Sequence, residues 1–414
     1  MASHSILLLA GEASGDYHAA ALVKDLKRLR PDIRVLGIGG DKLAAAGMEL
    51  LHHYREINTI GLSEGLSNVR NIIAAYTTMK RELMSGKHGL FIPVDFPDVN
   101  IRLCRLSKKA GVPVCYFISP QVWAWRKGRI RKIAARVDRM MTIFPFEETL
   151  YRDAGVRADF VGHTMARDIP ERVNKAELRE SLGMDPERYV VALLPGSRPA
   201  EISRMLPVML KAATMYAKHF SETQFVLPLA GEHLSGLVHE ILAPHQTHVT
   251  VYSGEAASIL SASDSALVTS GTATLQAALA GVPHAVAYKL DRISWFVAIR
   301  LIKPLLMDKD IHVAIANVLS ISGETMEGSA IPGMLNAGFR IPCLECGRPL
   351  FVPELLQDHV TPENLARWLV RFRSEPDLRD AMARGFAWLR GQLSPPEENH
   401  SAAGIVLDCL GAKM

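Results

Sequence analysis

No uninterrupted apolar run in the chain approaches the ~18–20 residues that cross a bilayer, so a membrane-spanning helix is not expected. The apolar start, Ile6-Leu7-Leu8-Leu9-Ala10, is short and has no basic leader, which makes it a first strand rather than a signal peptide. Cysteine is scarce. Five thiols at 104, 115, 343, 346 and 409 form an odd, dispersed set that fits a reducing compartment and not a disulfide framework. Charge of one sign is also lacking: a net charge of +4 over 414 residues gives no bulk field for nucleic acid. Two familiar nucleotide signatures are missing as well. Gly37 and Gly39 are followed by Lys42 where a Gly-x-Gly-x-x-Gly motif needs its third glycine, and there is no Walker A sequence. Nicotinamide and P-loop chemistry therefore have little support.

What the chain does have is one arrangement, used twice. The first apolar run leads into Gly11-Glu12-Ala13-Ser14-Gly15-Asp16 and then a helical pattern. Halfway along, Tyr189–Leu194 leads into Pro195-Gly196-Ser197-Arg198 and another amphipathic helix. A buried strand, a glycine turn and a helix N-terminus form a cradle for an anion, because bare N–H groups and the helix dipole point at it. Further strands are expected at 33–38, 89–94, 112–118, 140–144 and 158–161 in the first half. In the second half they are expected at 190–194, 224–229, 249–252, 266–268 and 284–288. Strands alternating with helices predict an α/β protein of two doubly wound domains facing across a cleft. The length suits two domains of roughly 150–200 residues. The linker is placed in 162–173 around Pro170, and the Gly- and Pro-rich stretch 320–353, with Cys343 and Cys346, reads as an insertion.

Candidate chemistry falls at the strand ends. Arg198 offers a rigid fork of donors to phosphate oxygens, with Gly196 and Ser197 in the turn, although an ordinary turn with an exposed arginine has the same spacing. Ser270-Gly271-Thr272 opens a helix with Gln276 one turn in; it either holds a diphosphate on bare N–H groups or is a plain N-cap. Asp95, just after a strand, is a candidate base for an attacking hydroxyl, whereas Asp98 fits helix capping. Ser119-Pro120-Gln121-Val122-Trp123-Ala124-Trp125-Arg126 starts a basic segment. There Arg126, Arg129, Lys132, Arg136 and Arg139 would share a helix face, either solvated or turned to an anionic partner. Cys343 and Cys346 supply half a zinc site, and Asp308-Lys309-Asp310 lacks the strand that metal-using transferases place before such a motif. No metal or other cofactor is expected.

These residues, in this order, resemble the bacterial lipid-A-disaccharide synthases. The runs that carry the resemblance include AGEASGD (10–16), DFPDVN (95–100), SPQVWAW (119–125), FVGHTM (160–165), LLPGSR (193–198) and SGTATLQAALAGVP (270–283), followed by Asn317. The match covers most of residues 5–319. It implies a GT-B glycosyltransferase built from two Rossmann-like domains. Residues 1–168 would form the acceptor-side domain, joined by C-terminal helices 385–414, and 169–384 would bind the UDP-sugar.

The resemblance implies transfer of a diacylated glucosamine from UDP-2,3-diacylglucosamine to the 6-hydroxyl of 2,3-diacylglucosamine 1-phosphate. The products would be the β-1,6 disaccharide 1-phosphate and UDP, with inversion. Asp95 and Arg198 become the catalytic pair. Gly196, Ser197, Ser270, Gly271, Thr272, Gln276 and Asn317 line the donor side, and Gly11, Ser14, Gly15, Asp16, Ser119, Trp123 and Arg126 the acceptor side. Acylated substrates imply a peripheral place at the cytoplasmic face of the inner membrane, and a homodimer is compatible with the family. Gln276 stands where the family typically has Glu, and Ala316 precedes Asn317 where it typically has Pro. Another UDP-sugar transferase or epimerase, or a non-catalytic UDP-sugar-binding protein, remain the alternatives on this scaffold.

Overall fold

The runs expected as strands are apolar along their whole length, which suits strands covered on both faces, and parallel pairing follows. The computed structural model describes residues 5–57, 65–120, 130–290, 341–342, 349–395 and 401–411. Within it the chain folds as two units, Met1–Thr164 with Leu393–Met414, and Met165–Gln392.

The first unit holds β1 (Ser5–Ala10), β2 (Arg34–Gly39), β3 (Glu49–His53), β4 (Leu90–Val94), β5 (Cys115–Phe117), β6 (Arg139–Thr142) and β7 (Arg157–Phe160). They form one sheet in the order β3-β2-β1-β4-β5-β6-β7, parallel throughout. Leu7, Leu9, Phe91, Tyr116 and Met140 are buried in its core. From β1 the chain winds outward through β2 and β3, then restarts beside β1 at β4 and winds the other way. The carboxyl ends of β1 and β4 therefore flank the point where winding reverses, the place where doubly wound sheets bind ligands.

The second unit repeats this plan. β8 (Val190–Leu194), β9 (Gln224–Leu229), β10 (Val249–Ser253), β11 (Ser265–Thr269) and β12 (His284–Tyr288) are followed by a short antiparallel pair, β13 (Ile341–Pro342) and β14 (Pro349–Leu350), and by β15 (Glu354–Leu356). The order is β10-β9-β8-β11-β12-β15, so winding reverses between β8 and β11.

The edge strands β3 and β15 and the β13–β14 pair were not expected. Residues of β3 are exposed or half-buried, so no apolar run marks it. The basic stripe from Arg126 to Arg139 is not one helix face. Among the described residues the helix there ends at Ala134, and Arg139 lies buried on β6, where its guanidinium binds Asp159 at 2.7 and 3.2 Å. The chain returns to the first unit at Leu393 rather than near 385, because helix Pro376–Leu393 is fastened to the second unit almost to its end. There Phe386 stacks on His284, and Arg390 donates to the carbonyls of Ala166, Ile169 and Leu279.

Candidate active site

At the first reversal point, β4 ends in a turn that ordinary side chains avoid. Asp95 and Phe96 both take left-handed backbone conformations, with φ of 41° and 47°. On the neighbouring β5, Ile118 does the same at φ 63°. Such residues cost about 1–3 kcal/mol each, β-branched isoleucine most, and cluster where function requires the shape. The turn is held from below: the Asp95 carbonyl accepts from the Tyr116 hydroxyl at 2.6 Å and from Asn100 Nδ2 at 2.7 Å, and Asn100 also reaches the Val94 carbonyl at 3.2 Å. Pro97 then starts the helix Pro97–Lys109. Phe96 occupies the cap position without a side-chain bond, so Asp98 is not the cap; it lies exposed in the first turn.

The Asp95 carboxyl is half-buried. Burial, and then the negative charge of Glu12, push its pKa from 3.8 up to about 6, against the lowering effect of a hydrogen bond from the Phe96 backbone. A carboxylate poised this way is still mostly ionised at neutral pH yet more basic than an ordinary one, which suits a general base. Gly11, at the end of β1, faces the same turn. A Cβ there would stand 2.5 Å from the Phe96 ring, so only glycine lets the β1 turn and the β4 turn meet.

Other residues of the β1 turn have different tasks. Ser14 is exposed in the first turn of helix Ala13–Leu29. Gly15 is buried, and a Cβ added there would meet Ala10 and Val94 at ordinary van der Waals distance. Asp16, expected to face the ligand, instead caps another helix. Its buried carboxylate accepts from the backbone N–H groups of Gly40 (2.6 Å), Lys42 (3.1 Å) and Leu43 (3.2 Å) at the start of helix Asp41–Ala45. That bonding explains the residue without a ligand. Ser119 is buried directly after Ile118.

At the second unit's reversal point, β8 runs into Pro195-Gly196-Ser197-Arg198, and helix Pro199–Ala217 begins. Arg198 is the cap residue, with its side chain 78% exposed. The nest of N–H groups in this turn is already filled by the protein. Glu201 Oε2 accepts from Ser197 N at 3.1 Å and Arg198 N at 3.4 Å, while Oε1 meets Arg198 Nη1 at 3.3 Å. Gly196, at φ 117°, has Glu201 where a Cβ would project, only 2.6 Å away. What this turn offers an anion is thus the guanidinium more than the backbone.

Beside it β11 ends at Thr269, and Gly271, φ 144°, caps helix Thr272–Leu279 with no side-chain bond. Gly271 has no side chain with which to cap, so the cap position itself leaves the first N–H groups of this helix to other partners. The N-terminus of this helix carries the partial positive charge of the helix dipole. Among the described residues, nothing stands within 4 Å of where a Gly271 Cβ would be. Gln276 is half-buried one turn further on.

Two anion-accepting features, one guanidinium and one helix N-terminus, thus flank a single reversal point. A model of the lipid-A-disaccharide synthetase family matches residues 6–326. The chain belongs to the lipid-A-disaccharide synthase family. A lipid-A-disaccharide synthase of Geobacter sulfurreducens is 36% identical over 412 residues, covering 100% of this chain and 99% of the relative. One from Anaeromyxobacter dehalogenans is 38% identical over 392 residues, 94% of each chain. Among solved structures, the UDP-GlcNAc 2-epimerase of Neisseria meningitidis, crystallised with UDP-GlcNAc, aligns with a TM-score of 0.58 at 11% identity, over 99% of this chain and 100% of that one. Acinetobacter baumannii MurG gives 0.51 at 12% identity, over 99% of both chains. At these identities the structures establish the fold: two parallel-sheet α/β domains of the GT-B type. Family members are glycosyltransferases of lipid A synthesis, and this chain is one of them.

Trp123, Arg126 and Asn317 lie outside the described residues, as do Cys343, Cys346, Asp308 and Asp310. Among the described residues no group of three or more His, Cys, Asp and Glu side chains is placed to hold a metal ion. Also among them, no helix is long and apolar enough to cross a membrane. Sequence reasoning missed three participants. Glu12 had no partner in view until the fold set its charge beside Asp95. Asn100 had no visible task until the Asp95 turn formed above it. Glu201 was legible in principle, since a glutamate three residues after a cap position is the usual capping-box signal.

Proposed function

We propose that this synthase moves a 2,3-diacylglucosamine from UDP to the 6-hydroxyl of 2,3-diacylglucosamine 1-phosphate. The reaction is one in-line displacement that inverts the anomeric carbon and releases UDP. Asp95 accepts the proton of the 6-hydroxyl as its oxygen attacks. Arg198 and the helix N-terminus at Gly271 stabilise charge growing on the departing diphosphate, with Ser197, Ser270 and Thr272 beside them. Gln276 and Asn317 are assigned to the donor's ribose and nucleotide end, Gln276 as an uncharged acceptor. Trp123, Arg126, Ser119, Ser14 and Gly15 are assigned to the acceptor side. Asp16 keeps only the structural task of capping. With a guanidinium and a helix dipole on the diphosphate, the reading calls for no metal. Acylated substrates place the enzyme peripherally at an inner-membrane surface, and a homodimer is compatible with this reading.

The observation that carries the proposal is the Asp95 carboxyl: strained into place, half-buried and titrating near 6 at the point where the first sheet's winding reverses. Purified protein given both lipid precursors should release one UDP per disaccharide, and proton NMR of the product should show a β-1,6 linkage. Turnover should survive a chelator. An α-linked product, or UDP release without acceptor at the same rate, would reject the mechanism.

A further inference from the structure

The opposite edge of the first sheet, where β5, β6 and β7 begin, carries a second constellation. Cys115, Arg139 and Arg157 are the first residues of these strands and lie side by side in register. The C-terminal helix Ala402–Gly411 brings Cys409 to the same place: Asp408 lies 3.6 Å from the guanidinium of Arg139, the strand neighbour of Cys115, and Cys409 lines a cavity with Arg139 and Arg157. Cys115 is fully buried beneath, whereas Cys409 is half-buried and lines a cavity of about 440 Å³ together with Lys108, Asp138, Arg139, Arg157 and Asp408. This is two neighbouring thiols, two guanidiniums beside them and a way in from solvent. The proposed transferase mechanism uses none of it.

We propose that Cys409 is a peroxide-reactive thiol and Cys115 its resolving partner, forming a reversible disulfide that ties the last helix to β5. In the first step the Cys409 thiolate attacks a hydroperoxide. An S–O bond forms, the O–O bond breaks, and the departing oxygen leaves as alkoxide or hydroxide and takes up a proton. In the second, the Cys115 sulfur attacks the Cys409 sulfenic acid. The S–S bond forms, the S–O bond breaks, and hydroxide leaves with the Cys115 proton as water. Two thiols lose two electrons in all, and the peroxide gains them.

The surroundings favour this assignment of roles. The neighbouring Cys115 thiol, then the Arg139 and Arg157 charges, hold Cys409 down at about 7, while burial opposes them. The neighbouring Cys409 thiol and burial push Cys115 well up. Reactive cysteines have this low, accessible, cation-flanked character, and sensors add a second thiol within reach. Cys104, by contrast, is buried and pushed up to about 12.

The test is hydrogen peroxide on the full-length wild-type protein, followed by peptide mass mapping without and with dithiothreitol. The expected result is a Cys115–Cys409 linked peptide, two hydrogens lighter than its parts and reversed by dithiothreitol, with Cys104 still a thiol. In Cys115→Ser, dimedone should trap the sulfenic acid on Cys409. Iodoacetamide at pH 7 should alkylate Cys409 at least about tenfold faster than Cys104. An unoxidised Cys409, Cys409 oxidised without linkage to Cys115, or equal alkylation of Cys104 and Cys409 would each overturn the proposal. The wild-type mapping decides it even if the Cys115 variant folds poorly.

Discussion

Asp95→Asn should make the protein more stable while it removes the base. The Asp95 carboxyl titrates at about 6 in the folded chain against an ordinary 3.8, so ionising it costs folding free energy. At 1.36 kcal/mol per unit, the full penalty above pH 6 is about 3 kcal/mol. Partial exposure reduces this to about 2 kcal/mol. Between pH 3.8 and 6 the folded state binds more protons than the unfolded one, so stability falls as pH rises through that window. Asparagine has the same shape, tolerates the left-handed turn and never ionises. Urea unfolding of both proteins at pH 8 should therefore show the variant ahead by about 2 kcal/mol, or roughly 4–8 °C in melting temperature for a unit of this size. At pH 3.5 both side chains are neutral and the gap should close. A variant no more stable than wild type at pH 8, or a gap of equal size at both pH values, would refute the reasoning.

Other outcomes follow from the same geometry. With Asp95 as base, kcat/KM should fall about tenfold per pH unit below 6, and Glu12→Gln should move that limb to lower pH by removing a neighbouring negative charge; a pH–rate series on both proteins measures this. Arg198→Ala should weaken UDP binding by about ten- to a hundredfold, as loss of a charged phosphate contact does, yet change stability by less than about 0.5 kcal/mol. Its side chain is mostly exposed and pairs with Glu201, so calorimetric titration and thermal unfolding together separate the two effects. Asp159→Ala should cost about 1.5–3 kcal/mol in urea unfolding, because it takes the bidentate partner from the Arg139 guanidinium and leaves it only the longer contact to Asp408 at 3.6 Å.

Much of this fold could be read from apolar runs, because a parallel strand covered on both faces has to be apolar along its length. Gln224–Leu229 and His284–Tyr288 fell on their expected bounds for that reason. β3, Glu49–His53, did not, since an edge strand only half covered can carry glutamate and two histidines. β5 is shorter than the run 112–118, because Pro113 brings no N–H to the ladder, Val114 makes only an isolated bridge to Phe91, and Ile118 turns left-handed. The turns at 195–198 and 270–272 were legible as turns, since glycine between a strand and a helix has few other uses. Their occupants were not. Which anion fills the first nest depends on Glu201, and the fate of Asp16 depends on Gly40, Lys42 and Leu43, more than twenty residues away. Spacing alone cannot show a carboxylate whose partners arrive by folding. The left-handed pair at Asp95 and Phe96 was equally hidden, because neither residue announces such a backbone.

The central claim is that Asp95 does chemistry rather than holding the donor, and one comparison addresses it directly. UDP affinity and single-turnover rate should be measured side by side for wild type and Asp95→Asn at pH 8. The account predicts UDP binding within about threefold of wild type and a transfer rate lower by at least about a hundredfold. A variant that transfers sugar within tenfold of the wild-type rate would contradict it.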